Sequence, residues 1–151
     1  MKPLGLLFAG TLIITSIWFA SEWWETGLAR PLGEPLVSPN GCYKVERLKP
    51  FWVLPDMFHR ESHPDEDQPP TWFPRWGNPG FYRLYDRRTG ELLGQSKIYD
   101  LESASGLLWW GDRYIPEVSA GLIPIGPIAP DCVGNQSIRR ITREALTQNS
   151  I

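Results

Sequence analysis

The sequence predicts a mainly β protein: a small antiparallel, sandwich-like domain around a central β-hairpin, with a transmembrane helix before it and a short helix after it. Three features of the 151 residues carry that prediction. Fifteen prolines argue against long helices, because each removes a backbone donor and clashes with the preceding turn. Eight tryptophans supply large side chains suited to an irregular core. Pro79 to Ser96 has the form of a hairpin. Phe81, Tyr82, Leu84 and Tyr85 run into Asp86, whose carboxylate can bond its own downstream N–H groups. Gly90 then supplies the positive φ of a type I turn with a G1 bulge.

The N-terminus sets the expected location. Lys2 and Glu22 enclose 19 uncharged residues, and Leu4 to Ala20 is almost wholly apolar. As a helix this run spans about 28 Å, close to the ~30 Å hydrocarbon core. Residues 1–25 therefore read as a signal anchor, with a cleaved signal peptide as the alternative. Cleavage after Ala20 would place Trp18 where signal peptidase wants a small residue. Gly27-Leu28-Ala29 has the small-x-small form but lies beyond Glu22 and Glu25. Trp18, Trp23 and Trp24 resemble an interfacial aromatic belt, and Lys2 lies at the other end, so the N-terminus is expected in the cytoplasm. The expected product is a single-pass membrane protein whose domain faces the periplasm or the outside; cleavage would instead leave it soluble in the periplasm or secreted.

Residues 26–39 hold Pro31, Gly33, Pro35 and Pro39 without an apolar period, and read as a linker lifting the domain off the bilayer. Residues 40–136 follow as a stapled β domain. Cys42 and Cys132 lie near its two ends with no CxxC or zinc-ligand spacing. In an oxidising compartment the simplest outcome is one disulfide, with two buried thiols as the alternative. After the turn Pro39-Asn40-Gly41, residues 42–48 alternate as a strand, with Tyr43, Val45 and Arg47 on one face and Cys42, Lys44, Glu46 and Leu48 on the other. Phe51-Trp52-Val53-Leu54 is a candidate short buried strand.

Residues 56–78 differ from the rest, with four prolines and the aromatics Trp72, Phe73 and Trp76. Asp56, Glu61, Asp65, Glu66 and Asp67 face only Arg60 in residues 56–67, a net charge of −4. Loops this long in a compact domain are functional or disordered. The aromatics are expected to pin residues 72–76 to the core and leave the acidic part as an exposed tip. The hairpin comes next, its return strand expected to continue through Tyr99 to Leu101. Leu107 to Trp110 is a further apolar run. Glu117 to Ile125 reads as a last strand, placed at an edge or ended by Pro124. Ser137 can cap a C-terminal helix over residues 137–151, with Ile138, Ile141 and Ala145 on one side.

Chemistry is sparse. His59 and His63 are four apart, so one helical turn would align them, with Asp65 or Asp67 as a third ligand. The pattern is not H-E-x-x-H, and Pro64 ends any helix there, so a solvated loop is the better reading and no metal is expected. No G-x-S-x-G elbow and no Gly-rich phosphate cradle occurs, so neither a catalytic residue nor a cofactor is expected. No basic patch with interleaved aromatics appears, which argues against nucleic acid. Trp72, Trp76, Trp109 and Trp110 could stack on sugars, although core packing accounts for tryptophans in a domain of this size.

The layout Cys42-Tyr43-x-Val45, Lys49-Pro50-Phe51-Trp52-Val53-Leu54-Pro55, Gly80-Phe81-Tyr82-Arg83-Leu84-Tyr85-Asp86 and Thr89-Gly90-Glu91-Leu92-Leu93-Gly94 resembles that of a family of small uncharacterised bacterial cell-envelope proteins, over roughly Pro39 to Cys132. Some proteins of this kind accompany secreted antibacterial toxins as membrane-tethered immunity proteins. The resemblance implies such a role and transfers no functional residue. The expected function is thus a non-enzymatic, membrane-anchored protein-binding module, with Asp56, His59, Glu61, His63, Asp65, Glu66, Asp67, Trp72 and Trp76 as candidate contacts. A glycan- or peptidoglycan-binding or envelope-assembly accessory is the alternative. A metal-dependent hydrolase using His59 and His63 is the third reading.

Overall fold

The computed structural model describes residues 9–13, 15–16 and 23–132. Most of the expected transmembrane segment and the whole expected C-terminal helix lie outside the described residues. Among the described residues no helix is long and apolar enough to cross a membrane. Residues 9–13, 15–16 and 23–27 are helical, and everything after them is dominated by short strands.

The larger sheet contains β1 (Arg30–Pro31), β2 (Leu36–Val37), β3 (Tyr43–Lys49), β6 (Pro79–Asp86), β7 (Leu92–Gln95) and β8 (Tyr99–Asp100). β4 (Arg60–Glu61) and β5 (Thr71–Trp72) form a separate two-stranded ladder. β9 (Leu108–Trp109), β10 (Glu117–Ala120) and β11 (Ile123–Pro127) make a three-stranded sheet. Every pairing among these strands is antiparallel. The domain is therefore mainly β, assembled from small antiparallel sheets.

The backbone of the fold is the pairing of β3 with β6, from Tyr43↔Asp86 to Leu48↔Phe81. Alternation places Tyr43, Val45, Tyr82 and Leu84 on the face that meets the main core, together with Tyr99, Leu101, Trp110, Val118, Ile123 and Ile125. Leu48 and Phe81 are buried as well, although they belong to the opposite face. Both faces of this strand pair are thus covered at the Leu48 end, where residues 23–29 and the long loop approach: Arg83 Nη2 donates to Thr26 C=O at 2.7 Å, and Phe51 N–H donates to Glu25 C=O at 2.9 Å.

The hairpin between β6 and β7 forms, but Gly90 N–H donates to Asp86 C=O at 2.7 Å and closes a four-residue connection rather than the expected type I turn with a G1 bulge. Asp86 accepts from the Arg88 backbone N–H at 2.8 Å, and Gly90 takes φ +77. The ladder irregularity falls one step away from the turn, between Leu84 and Tyr85, so that Leu93 is the extra residue on β7. The return strand does not run unbroken to Leu101. β7 ends at Gln95, and the chain rejoins β6 as β8, opposite Pro79 and Gly80. Between them Ile98 C=O is taken by Ser62 N–H from the acidic loop, at 2.9 Å. Asp100 then caps the short helix α1 (Leu101–Ala104), accepting from Glu102 N–H.

Four further expectations change. Phe51 to Leu54 forms no strand: Phe51 N–H is spent on Glu25, and Val53 and Leu54 project into solvent. Residues 117–125 are two strands, because Gly121 at φ +61 opens a two-residue turn that sets Ala120 opposite Ile123. Residues 26–39 contribute β1 and β2 to the sheet, and Leu32 packs against the core. Of the aromatics in residues 72–76, only Phe73 is buried; Trp72 and Trp76 stand out in solvent.

The two larger sheets meet where β7 touches β11, and glycine makes the approach possible. A Cβ on Gly94 would lie 2.5 Å from Ile125 O and 2.7 Å from Gly126 Cα, closer than any side chain tolerates. At the far end the chain is fastened three ways. Cys42 and Cys132 form the expected disulfide. Tyr43 Oη donates to Cys132 C=O and accepts from Ala129 N–H at 2.7 Å. Arg88 bridges Asp86 at 2.7 Å and Asp131 at 2.5 Å.

Candidate functional site

The acidic loop is more ordered than a solvated tip. β4 and β5 pair Arg60↔Trp72 and Glu61↔Thr71, and Thr71 Oγ1 donates to Glu61 Oε1 at 3.1 Å. Phe73 N–H donates to His59 C=O at 3.1 Å, so the buried Phe73 holds the base of the ladder. At the tip, Asp65 N–H donates to His63 Nδ1 and Asp67 N–H to Asp65 Oδ1, each at 3.1 Å. The first of these bonds makes Nδ1 an acceptor and places the neutral imidazole proton on Nε2.

The Ser62–Ile98 bond lays this loop beside β8 and α1, and between them opens a cavity of about 550 Å³. Its polar wall carries Glu61, His63 and Asp65 from the loop, with Asp100 and Ser103 from the start of α1. Pro64, Ala104 and Leu122 supply apolar surface. Asp100 is nearly buried and already structurally engaged: Oδ1 accepts from Asn78 N–H at 2.9 Å and from Glu102 N–H at 3.1 Å. Ser103 Oγ donates to Asp100 C=O at 3.2 Å. Among the described residues no hydrogen bond joins Ser103 to His63.

The remaining candidates go elsewhere. Asp56 starts a 3-10 turn and pairs with Lys49 at 3.6 Å. His59 stacks on Trp52 with ring centroids 3.9 Å apart, its Nδ1 3.9 Å from Glu25 Oε1, while its Nε2 is buried without a hydrogen-bond partner. The two histidines therefore serve different surroundings. Among the described residues no group of three or more His, Cys, Asp or Glu is placed to hold a metal ion. Glu66 is exposed and 3.8 Å from Lys97. Trp72 carries the Arg60 guanidinium 4.9 Å from its ring centroid, while Trp76 is 84% exposed. Of the other sugar-stacking candidates, Trp110 belongs to the core and Trp109 is on β9.

Of the sequence candidates, Glu61, His63 and Asp65 line this cavity, and Asp100 and Ser103, which line it too, were not among them. The signal for Asp100 was present, since Asp before Leu101-Glu102 is a helix N-cap; reading a strand through Leu101 concealed it. Three carboxylates and a histidine in a lining that also carries Pro64, Ala104 and Leu122 suit a cationic side chain whose methylene stem lies against the apolar residues. No family model, curated protein or solved structure matches this chain.

Proposed function

We propose that this protein is a non-enzymatic, membrane-anchored module that binds a protein partner on the outer side of a bacterial inner membrane. The observation that carries this reading is the cavity that Glu61, Asp65 and Asp100 all line, with no lysine or arginine among the described lining residues. A basic side chain of a partner would enter it, exchanging water for charge-assisted hydrogen bonds. The sharpest form of the reading, in line with the resemblance noted above, is neutralisation of a toxin that acts in the periplasm.

Survival on co-expression with a toxin encoded beside the gene tests it. Protection is expected with the native chain. In Glu61→Lys/Asp65→Lys it should fall by about tenfold or more, as loss of one or two charge-assisted contacts implies. No protection, or protection indifferent to the charge reversal, rejects the proposal. The exposure of Trp72 and Trp76 favours a second reading, a glycan- or peptidoglycan-binding accessory. Sedimentation with isolated sacculi that is lost in Trp76→Ala would decide for it.

A further inference from the structure

The long loop leaves the sheet at Pro50 and makes its first excursion before the acidic segment begins. Both ends of that excursion come back to one residue. Phe51 N–H donates to Glu25 C=O at 2.9 Å, and His59 Nδ1 lies 3.9 Å from Glu25 Oε1. The Trp52–His59 stack closes the base. What projects between is apolar and open: Val53 is 82% exposed, Leu54 58%, Met57 45% and Phe58 57%. A monomeric soluble surface rarely gathers large apolar side chains this way without a partner.

The position of the anchoring residue identifies the partner. Glu25 is four residues beyond Ser21, the last of the uncharged run, and residues 23–27 are helical. Even fully extended, four residues reach no more than about 14 Å, so the base of the arch stays close to the end of that run. Trp23 and Trp24, both exposed, lie in the gap. Asp56, the arch's carboxylate, is paired with Lys49, and Arg30, the register partner of Lys49, is exposed beside them and can meet a lipid headgroup.

We infer that the arch Val53–Phe58, with Trp23 and Trp24, is a membrane-docking surface, which seats the domain on the lipid interface rather than holding it away on a linker. This rests on the reading of residues 1–25 as a membrane anchor. Met57 and Phe58 would enter the headgroup–acyl boundary alongside Val53 and Leu54, where apolar side chains gain burial without crossing the bilayer. The Arg83–Thr26 bond at 2.7 Å and the Phe51–Glu25 bond fix the domain to the helical turn, so docking also orients the acidic cavity relative to the membrane.

The test uses the full chain in vesicles of phosphatidylethanolamine and phosphatidylglycerol. An environment-sensitive NBD label is placed on Val53→Cys, on Phe58→Cys in a second preparation, and on Leu107→Cys as a control exposed elsewhere in the domain. Vesicle flotation reads the anchor; quenching by lipids with a shallow acyl-chain nitroxide reads the docking. Flotation with blue-shifted emission at 53 and 58 that the nitroxide lipids quench, and neither effect at 107, supports the inference. Flotation with all three labels unquenched overturns docking while leaving the anchor standing. A blue shift at 53 and 58 that nitroxide lipids do not quench assigns the arch to a protein contact and also overturns it. Failure to float removes the anchor and the inference with it.

Discussion

Asp86 shows how much one side chain can organise. It takes three hydrogen bonds from Arg88, through the backbone N–H, Nε and Nη2, and so shapes the hairpin turn. The same guanidinium reaches Asp131, next to the disulfide. Hydrogen bonds from Arg88 hold the Asp86 carboxyl below the ordinary carboxylate range, against the opposing effect of burial, and Asp131 is lowered by the same partner. A depressed folded value means the stabilisation is in place above the unfolded value of about 4 and is lost as pH falls through the folded one. Urea denaturation should therefore show unfolding free energy dropping between about pH 5 and pH 2, with a shallower slope in Asp86→Asn. At neutral pH, Asp86→Ala should cost about 1–2 kcal/mol, discounted because Arg88 is partly solvated. An Asp86→Asn curve superimposable on the native one would show that the network does not report on folding. Tyr43 is the apolar counterpart of this clamp: burial, more than any charge, raises its phenol, which stays neutral to accept and donate at once.

Among the elements, the contact of β7 with β11 depends on the absence of side chains. Both strands are irregular there, with Leu93 and Ile125 as the residues that lack a ladder partner. An extra residue bends the strand that carries it, and Gly94 and Gly126 let the two backbones meet. Gly94→Ala should destabilise the domain by about 1–3 kcal/mol, the usual cost of overpacking, measured as a lowered denaturant midpoint. Gly90→Ala at the exposed hairpin turn is the comparison, since its Cβ meets nothing within 4 Å and the cost there is backbone strain alone. Equal effects at the two sites would mean that the sheets do not need this close approach. The acidic loop teaches the complementary lesson. Its ladder is only two residue pairs long, too short to stand alone, and it persists because Phe73 and Ser62 tie it to the body of the domain.

For the molecule as a whole, the disulfide closes a separation of 90 residues, enclosing nearly the entire described domain. The loop leaves out β1 and β2, and in the chain-entropy account a separation of 90 residues raises stability by about 4–5 kcal/mol, chiefly by restricting the unfolded chain. Reduction under native conditions should thus leave the fold in place, since Tyr43 and Arg88 still hold residues 129–132, while the denaturation midpoint drops sharply. A reduced chain with the native midpoint would assign the staple no thermodynamic role. Function at this scale comes from relative placement. If the arch docks on lipid and the cavity receives a basic side chain, the β3–β6 pair links the two, since the arch follows β3 and the β8 strand beside the cavity pairs with β6.

What the sequence determined by itself was local or compositional: the mainly β class, the Asp86–Gly90 turn, the alternation of Tyr43 and Val45, and the pairing of its two cysteines. These depend on the φ/ψ preferences of a few neighbours, on period-two burial, and on there being one way to pair two thiols. Tertiary structure alone decided that Glu61 and Asp65 share a cavity with Asp100 and Ser103, that Trp72 and Trp76 face solvent while Phe73 does not, and that residues 30–31 and 36–37 join the sheet. Each of those outcomes is a contact between segments distant in the chain. Such contacts are settled by the competition of all apolar surfaces for one small core, and they leave no trace in the spacing of neighbouring residues.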